Sequence, residues 1–327
     1  MIFRHKKYSN SEVYTASFRF NLVICFFLIF FACSAQQPTN ITHYMFTNLA
    51  NNPAVAGSNE GICVTALIRQ QTIGFKDNDG KSLSPTTMYI SIDAPIKFLH
   101  GGIGGSVMTD KIAQFSTTDV RLDYAYRFEL GQGEFSAGAQ LDINNTKVDI
   151  SSFDAINKTD DAILGKLGKD DLVLDLGLGL FYKVPDKYYI GFSTTDLLQT
   201  KETKIYYRLK RTFFLTGGYN WPIPNHPLFE LQPSILVRTD FGSFQVDITG
   251  LVLYNKKFYG GLAYRYQDAI SVLVGFNIKS FRIGIAYDAS MIGALKHNSG
   301  GLEVMANYCF KISTDKFRKS YKNTRFL

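Results

Sequence analysis

From about residue 60 onward, apolar and polar residues alternate in window after window. In VRLDYAYRF (Val120–Phe128), Val120, Leu122, Tyr124, Tyr126 and Phe128 share one face, while Arg121, Asp123 and Arg127 share the other. EFSAGAQLDI sets Phe135, Ala137, Ala139, Leu141 and Ile143 against Ser136, Gly138, Gln140 and Asp142. LVLDLGLGL puts Leu172, Leu174, Leu176, Leu178 and Leu180 on one side, and FQVDITGLVLY and FRIGIAYD repeat the scheme. A period of two with one apolar face is the strand signal, and no window sustains a helical period. Turn-forming residues divide the chain into about 14 strands between residues 60 and 312, an even number of the kind a closed antiparallel barrel needs.

The connections sort by length. Taking every second one gives PIKFLH, GQG, VPDK, WPIPNHP, NKK and KS, all short. The other set holds the long interruptions 71–83, 149–171 and 197–210. Short turns at one end and long loops at the other is the asymmetry of outer-membrane barrels, and a sandwich has no reason to show it. The expected fold is therefore all-β, a transmembrane antiparallel barrel filling residues 60–312.

The N-terminus agrees with that destination. Arg4, Lys6, Lys7 and Arg19 precede NLVICFFLIFF (Asn21–Phe31) and the small-residue exit ACSAQQ. This order reads as a secretory signal peptide over residues 1–35, cleaved after Ala35. Acylation at Cys33 is the alternative. The apolar run is shorter than the roughly 20 residues a spanning helix needs. The remaining chain is rich in ring and small residues, with 19 Tyr, 27 Phe and 27 Gly over the whole sequence.

Reading parity strand by strand assigns one set of charges to the inner face: Arg69, Asp93, Arg121, Asp123, Arg127, Asp142, Asp175, Glu230, Arg238, Asp247, Arg265, Arg282, Asp288, Glu303 and Lys311. Both signs are nearly balanced, which suits pairing within a filled interior better than an ion-selective constriction. Charges that only solvate a water-filled lumen are the alternative. The formal net charge of +7 does not point to nucleic acid. It comes from the leader and from the basic tail 313–327, where Lys316, Arg318 and Lys319 are candidate contacts for a periplasmic partner. Cys63 and Cys309 fall on the first and last strands, which become neighbours when a barrel closes. An oxidising compartment allows a bridge across that seam, but two separate small buried residues are the simpler expectation.

Catalytic patterns are missing from the sequence. GGIGGS (Gly101–Ser106) opens a strand rather than a helix, the five His show no zinc spacing, and neither HExxH nor GxSxG occurs. Asp160, Asp161, Asp170 and Asp171 lack the order of a calcium loop and read as a solvated connection. No enzyme activity, cofactor or metal is expected.

Between leader and first strand, residues 36–59 hold THYMFTNLANNPAVAGS, too irregular for a strand and too apolar for a linker. Tyr44, Met45, Phe46, Asn52, Pro53, Ala54 and Gly57 mark it as an ordered, plug-like segment, expected to fold into or across the periplasmic mouth of the barrel, where inward Arg and Asp would satisfy its backbone. YMFTNLANNPAVAGS resembles the opening of the PorP/SprF-like outer-membrane proteins of type IX secretion, a family associated with Bacteroidetes. RQQTIGF, DYAYRF with SAGAQ, GFSTTDLL, LQPSILVR, GGLAYRYQDAI, IAYDAS and GGLEVMANYCFKI resemble its later blocks in order. Thr72 and Leu302 depart from the pattern, where Trp and His are usual. The resemblance implies a barrel among outer-membrane lipids that assists export or surface attachment of cargo with a C-terminal sorting domain. It also implies contact with a periplasmic lipoprotein ring. A transporter for hydrophobic small molecules is the competing reading, and it requires an apolar pocket in the lumen.

Overall fold

The computed structural model describes residues 40–59, 61–73, 84–148, 170–201, 209–291 and 300–311. The expected leader, Asp160 and Asp161, the tail contacts Lys316, Arg318 and Lys319, most of the long connection 149–171 and half of 197–210 lie outside those residues.

The strands are β1 (Gly61–Gln70), β2 (Thr86–Ile96), β3 (Gly101–Ile112), β4 (Phe115–Leu130), β5 (Gly133–Val148), β6 (Asp170–Val184), β7 (Tyr188–Thr195) and β8 (Thr212–Tyr219). After the two-residue β9 (Trp221–Pro222) come β10 (Phe229–Thr239), β11 (Phe244–Tyr254), β12 (Phe258–Arg265), β13 (Ala269–Ile278), β14 (Phe281–Ser290) and β15 (Gly301–Lys311). Neighbours in sequence pair antiparallel, β8 pairs β10, and β15 pairs back onto β1. Apart from the small β9 spur on β10, 14 long strands thus close a barrel. Every long strand thus has a strand partner on both sides, as an open sheet edge could not be tolerated in lipid. Among the described residues there is no α-helix.

Alternation sets which face each residue takes. In β6 the burial pattern switches at nearly every position, with Leu172, Leu174, Leu176, Leu178 and Leu180 exposed outward. Asp170 and Asp171, expected in a connection, instead open this strand, because residues 170–171 pair with Lys147 and Thr146 of β5. The outer surface is apolar around the barrel, from Ile90 and Leu122 to Leu262 and Ile285. Aromatic residues gather toward its two ends. Near one end lie the ring pairs Phe128–Phe135, Phe229–Tyr254 and Phe281–Tyr308, and near the other Phe213–Phe241. An apolar band flanked by aromatic girdles is how a barrel meets a bilayer.

The four longest connections, 71–85, 149–169, 196–211 and 291–300, all fall at one end of the barrel. The opposite, short-turn end carries 97–100, 131–132, 185–187, 255–257 and 279–280, with 220–228 the longest there. Cys63 and Cys309 stand opposite each other on β1 and β15 and are joined in a disulfide. The simpler expectation of two separate cysteines is thereby corrected: registry across the closing seam brings together residues 246 positions apart.

Candidate functional site

Residues 40–58 lie inside the barrel, packed against its inner wall. Within this stretch two short 3-10 turns, Asn48–Ala50 and Pro53–Val55, are separated by Asn51 and Asn52. Asn52 has extended backbone and its Oδ1 accepts from Ala54 N at 2.9 Å, closing the start of the second turn. Its amide then donates to Leu180 O of β6 at 3.0 Å. Pro53 lacks the donor that such a first-turn position would leave unused. Gly57, at φ +64, supplies the left-handed backbone that turns the chain into β1.

The wall is shaped to receive this segment. A Cβ on Gly138 of β5 would lie 2.4 Å from Ala54 N, so only glycine lets the two backbones meet there. Apolar side chains of the segment face apolar patches of the wall. Met45 and Phe46 pack on Leu251, Leu253, Tyr259, Ala263, Leu273 and Ala286. Tyr44, 1% exposed, packs with Phe214 and Leu236 and hydrogen-bonds Ser234 Oγ at 3.1 Å. Leu49 and Ala56 meet Ala125. Fully burying side chains of this size contributes roughly 1.5–3 kcal/mol each.

The irregular backbone finds its partners in inward charges, as an unsatisfied group here would be costly. On one side, Glu303 accepts from Thr42 N and His43 N at 2.8 Å each, with His43 Nδ1 2.6 Å from the same carboxylate. Thr42 Oγ1 donates to Asp288 Oδ1 at 2.9 Å, and Arg69 donates to Asn40 O. These groups belong to a continuous ion-pair chain: Arg69 to Asp288 at 2.7 Å, Arg265 to Asp247 at 3.0 Å, and Arg238 to Asp247 at 2.8 Å. Across the lumen, Arg121 reaches Ala50 O at 2.8 Å while pairing Asp142 at 3.2 Å and Asp119 at 3.5 Å. At the short-turn end, Arg127 donates to Gly57 O and Ala56 O at 2.6 and 2.9 Å, and Asp93 accepts from Gly57 N at 3.0 Å.

Of the two expected paths, into the barrel or across its mouth, these contacts take the first. Asn40 lies beside Arg69 and Asp268, near the long-loop end, and Gly57 lies near the short-turn end. The chain therefore runs the length of the lumen before β1 returns. The acceptors for its first residues, Asp288 and Glu303, stand on the long-loop halves of β14 and β15, so the segment must reach them.

The remaining inward charges take their own places. Asp123 accepts from Gln140 Nε2 at 2.9 Å. Asp175 accepts from Leu198 N and Thr200 N at 2.9 and 3.0 Å, tying down the start of the 196–211 connection. Glu230 is half-buried and 3.3 Å from Lys256 Nζ. Arg282 is half-buried with its guanidinium 4.2 Å from the Phe46 ring. The Lys311 side chain lies outside the described residues. His43, Thr42, Asp119 and Asp196 were not singled out by sequence. The first two stand in an aperiodic stretch, and Asp196 follows the end of β7, where parity has no meaning. Asp119 shares the parity of Arg121 and was legible by the same rule.

A closed antiparallel barrel with an apolar, aromatic-edged exterior defines an integral outer-membrane-type β-barrel protein. More particularly, the chain belongs to the type IX secretion system membrane protein PorP/SprF family, whose model matches residues 33–308. No curated protein matches the chain. Among solved structures, the chain is similar to the Ralstonia pickettii toluene transporter TbuX, at 11% identity and a TM-score of 0.48, covering 81% of this chain and 93% of that one. It is also similar to the Acinetobacter baumannii outer membrane protein Omp33, at 9% identity and a TM-score of 0.44, covering 77% and 98%.

Proposed function

We propose that this protein is a plugged outer-membrane barrel that serves type IX secretion by assisting export or surface attachment of cargo proteins with C-terminal sorting domains. Its short-turn end faces the periplasm, where the lipoprotein ring of the machine is its neighbour, and the long loops face outward. It works by binding and not by catalysis. The observation that carries this reading is the segment 40–58 in a member of this family: it runs through the lumen and is held there from both sides, which suits an anchoring or gating component better than an open pore. A transporter of hydrophobic small molecules needs a free apolar pocket. The apolar lumen patches are instead covered by Tyr44, Met45 and Phe46.

Affinity purification of the full chain from its native outer membrane tests the proposal. A sorting-domain cargo or a periplasmic ring lipoprotein is expected to co-purify after mild cross-linking. Recovery of a bound lipid or hydrocarbon with no protein partner would sink the secretion role.

A further inference from the structure

On the described strands, Arg69, Arg121, Arg127, Arg238 and Arg265 each have a carboxylate within 4.0 Å. Arg282, near the start of β14, is the exception. Its Nε donates to Asn277 Oδ1 at 2.8 Å and its guanidinium stacks on Phe46 at 4.2 Å. Neither terminal nitrogen has a hydrogen-bond or ionic partner among the described residues. The side chain lines a cavity of about 330 Å³ between the segment and the wall. Tyr219 and Asn220, at the end of β8, line the same cavity and place it toward the short-turn end.

Arginine stays charged at any accessible pH, and a charge withdrawn from bulk water without a counter-ion is costly. The planar fork matches a carboxylate through two parallel hydrogen bonds. The other lining groups include the amides of Asn48 and Gln232, which suit a peptide backbone, and the rings of Phe46 and Tyr189, which suit apolar side chains. Two further charges line it, Lys183, which donates to Ser58 O at 3.3 Å, and Asp93, whose carboxylate already accepts from Gly57 N at 3.0 Å. A volume near 300 Å³ is at the lower bound of ligand-sized pockets. We propose that this cavity is a receptor for an acidic peptide segment entering from the short-turn end, with its carboxylate clamped by Arg282. The assignment stands on the cavity and goes beyond the secretion reading, so either can fail without the other.

The test uses the purified full chain in detergent micelles and calorimetric titration with two blocked tripeptides, acetyl-Phe-Asp-Phe-amide and acetyl-Phe-Asn-Phe-amide. The acidic peptide is expected to bind at least about tenfold more tightly, as a charge-assisted bidentate contact implies. Arg282→Gln should erase the difference while keeping the heat-modifiable migration of a folded barrel. Arg282→Lys, which keeps the charge but loses the fork, should retain only part of it. Wild-type protein that does not distinguish the peptides overturns the proposal whatever the variants do. So does a preference that survives in folded Arg282→Gln. Inorganic phosphate competing as strongly as the acidic peptide shows a small-anion site and overturns the peptide assignment.

Discussion

Glu303 accepts from two successive backbone amides and lies against the His43 ring, at 1% exposure. Glu303→Gln keeps the shape but replaces one acceptor oxygen by a donor, setting N–H against N–H in a buried site. Leaving such groups unsatisfied costs on the order of 1–3 kcal/mol. The variant should lower the melting midpoint of the purified barrel and speed amide exchange at residues 42 and 43, with exchange in the β4–β5 pairing unchanged. Asp196 offers a second residue-level prediction. Burial pushes its pKa up to about 6, and the attraction of Arg121 with the hydrogen bond from Thr195 offsets only part of this. The native state therefore holds this proton more tightly than the unfolded chain, whose value is the ordinary 3.8. The Asp196 contribution to stability is complete below about pH 4 and is lost as pH rises through about 6. Asp196→Asn, compatible with φ +56 at this position, should remove that slope and leave the protein more stable at about pH 7.5, by up to roughly 3 kcal/mol. Thermal midpoints of both proteins across that range decide it. Strand parity was enough to place residues such as Arg121 or Arg265 inside. It had no purchase on His43 or Asp196, which lie outside the strands.

At the scale of elements, the strands were legible because a half-buried strand writes its environment into every second residue. The segment 40–58 writes no period. Its composition marked it as ordered, but its route was hidden because that depends on acceptors supplied by β14 and β15 and a donor supplied by β4, far along the chain. The seam was half legible. That β1 and β15 meet follows from an even strand count, whereas the pairing of Cys63 with Cys309 needs their register, which no pattern on either strand alone dictates. This link makes the closing pair different from every other pair in the barrel, since β1 and β15 are otherwise held by ladder hydrogen bonds and side-chain contacts. Closing so long a loop covalently restricts the unfolded chain, worth typically 2–4 kcal/mol. Cys63→Ser with Cys309→Ser should lower the temperature at which the folded band converts to the unfolded band in SDS electrophoresis. Reductant should do the same to the natural chain and nothing further to the double variant. Identical conversion temperatures with and without reductant would show that the bridge adds no stability to the seam.

For the whole molecule, the dimensions decide what the segment is for. Fourteen strands about 4.8 Å apart and tilted about 40° enclose a backbone cylinder roughly 28 Å across, wide enough to leave an aqueous channel if side chains alone lined it. The lumen charges do not fill that width by themselves: Arg121, Arg127 and Arg69 extend to the carbonyls of Ala50, Gly57 and Asn40 and meet the segment there. Removing residues 42–56 takes away Tyr44, Met45, Phe46 and Leu49, strips Glu303 and Arg121 of their backbone partners and Asp288 of the Thr42 hydroxyl, and leaves every strand and the β1–β15 seam in place. The strands and their ladder are sufficient for closure, since no barrel hydrogen bond runs through the segment. The deleted protein should therefore still assemble, migrate as a folded barrel, and conduct in a planar bilayer where the intact chain holds current near baseline. If Glu303 is the main pin, Glu303→Gln should show brief openings between those two extremes. A folded deletion variant that conducts no better than the intact chain would remove the plug from the account and leave residues 40–58 as internal packing.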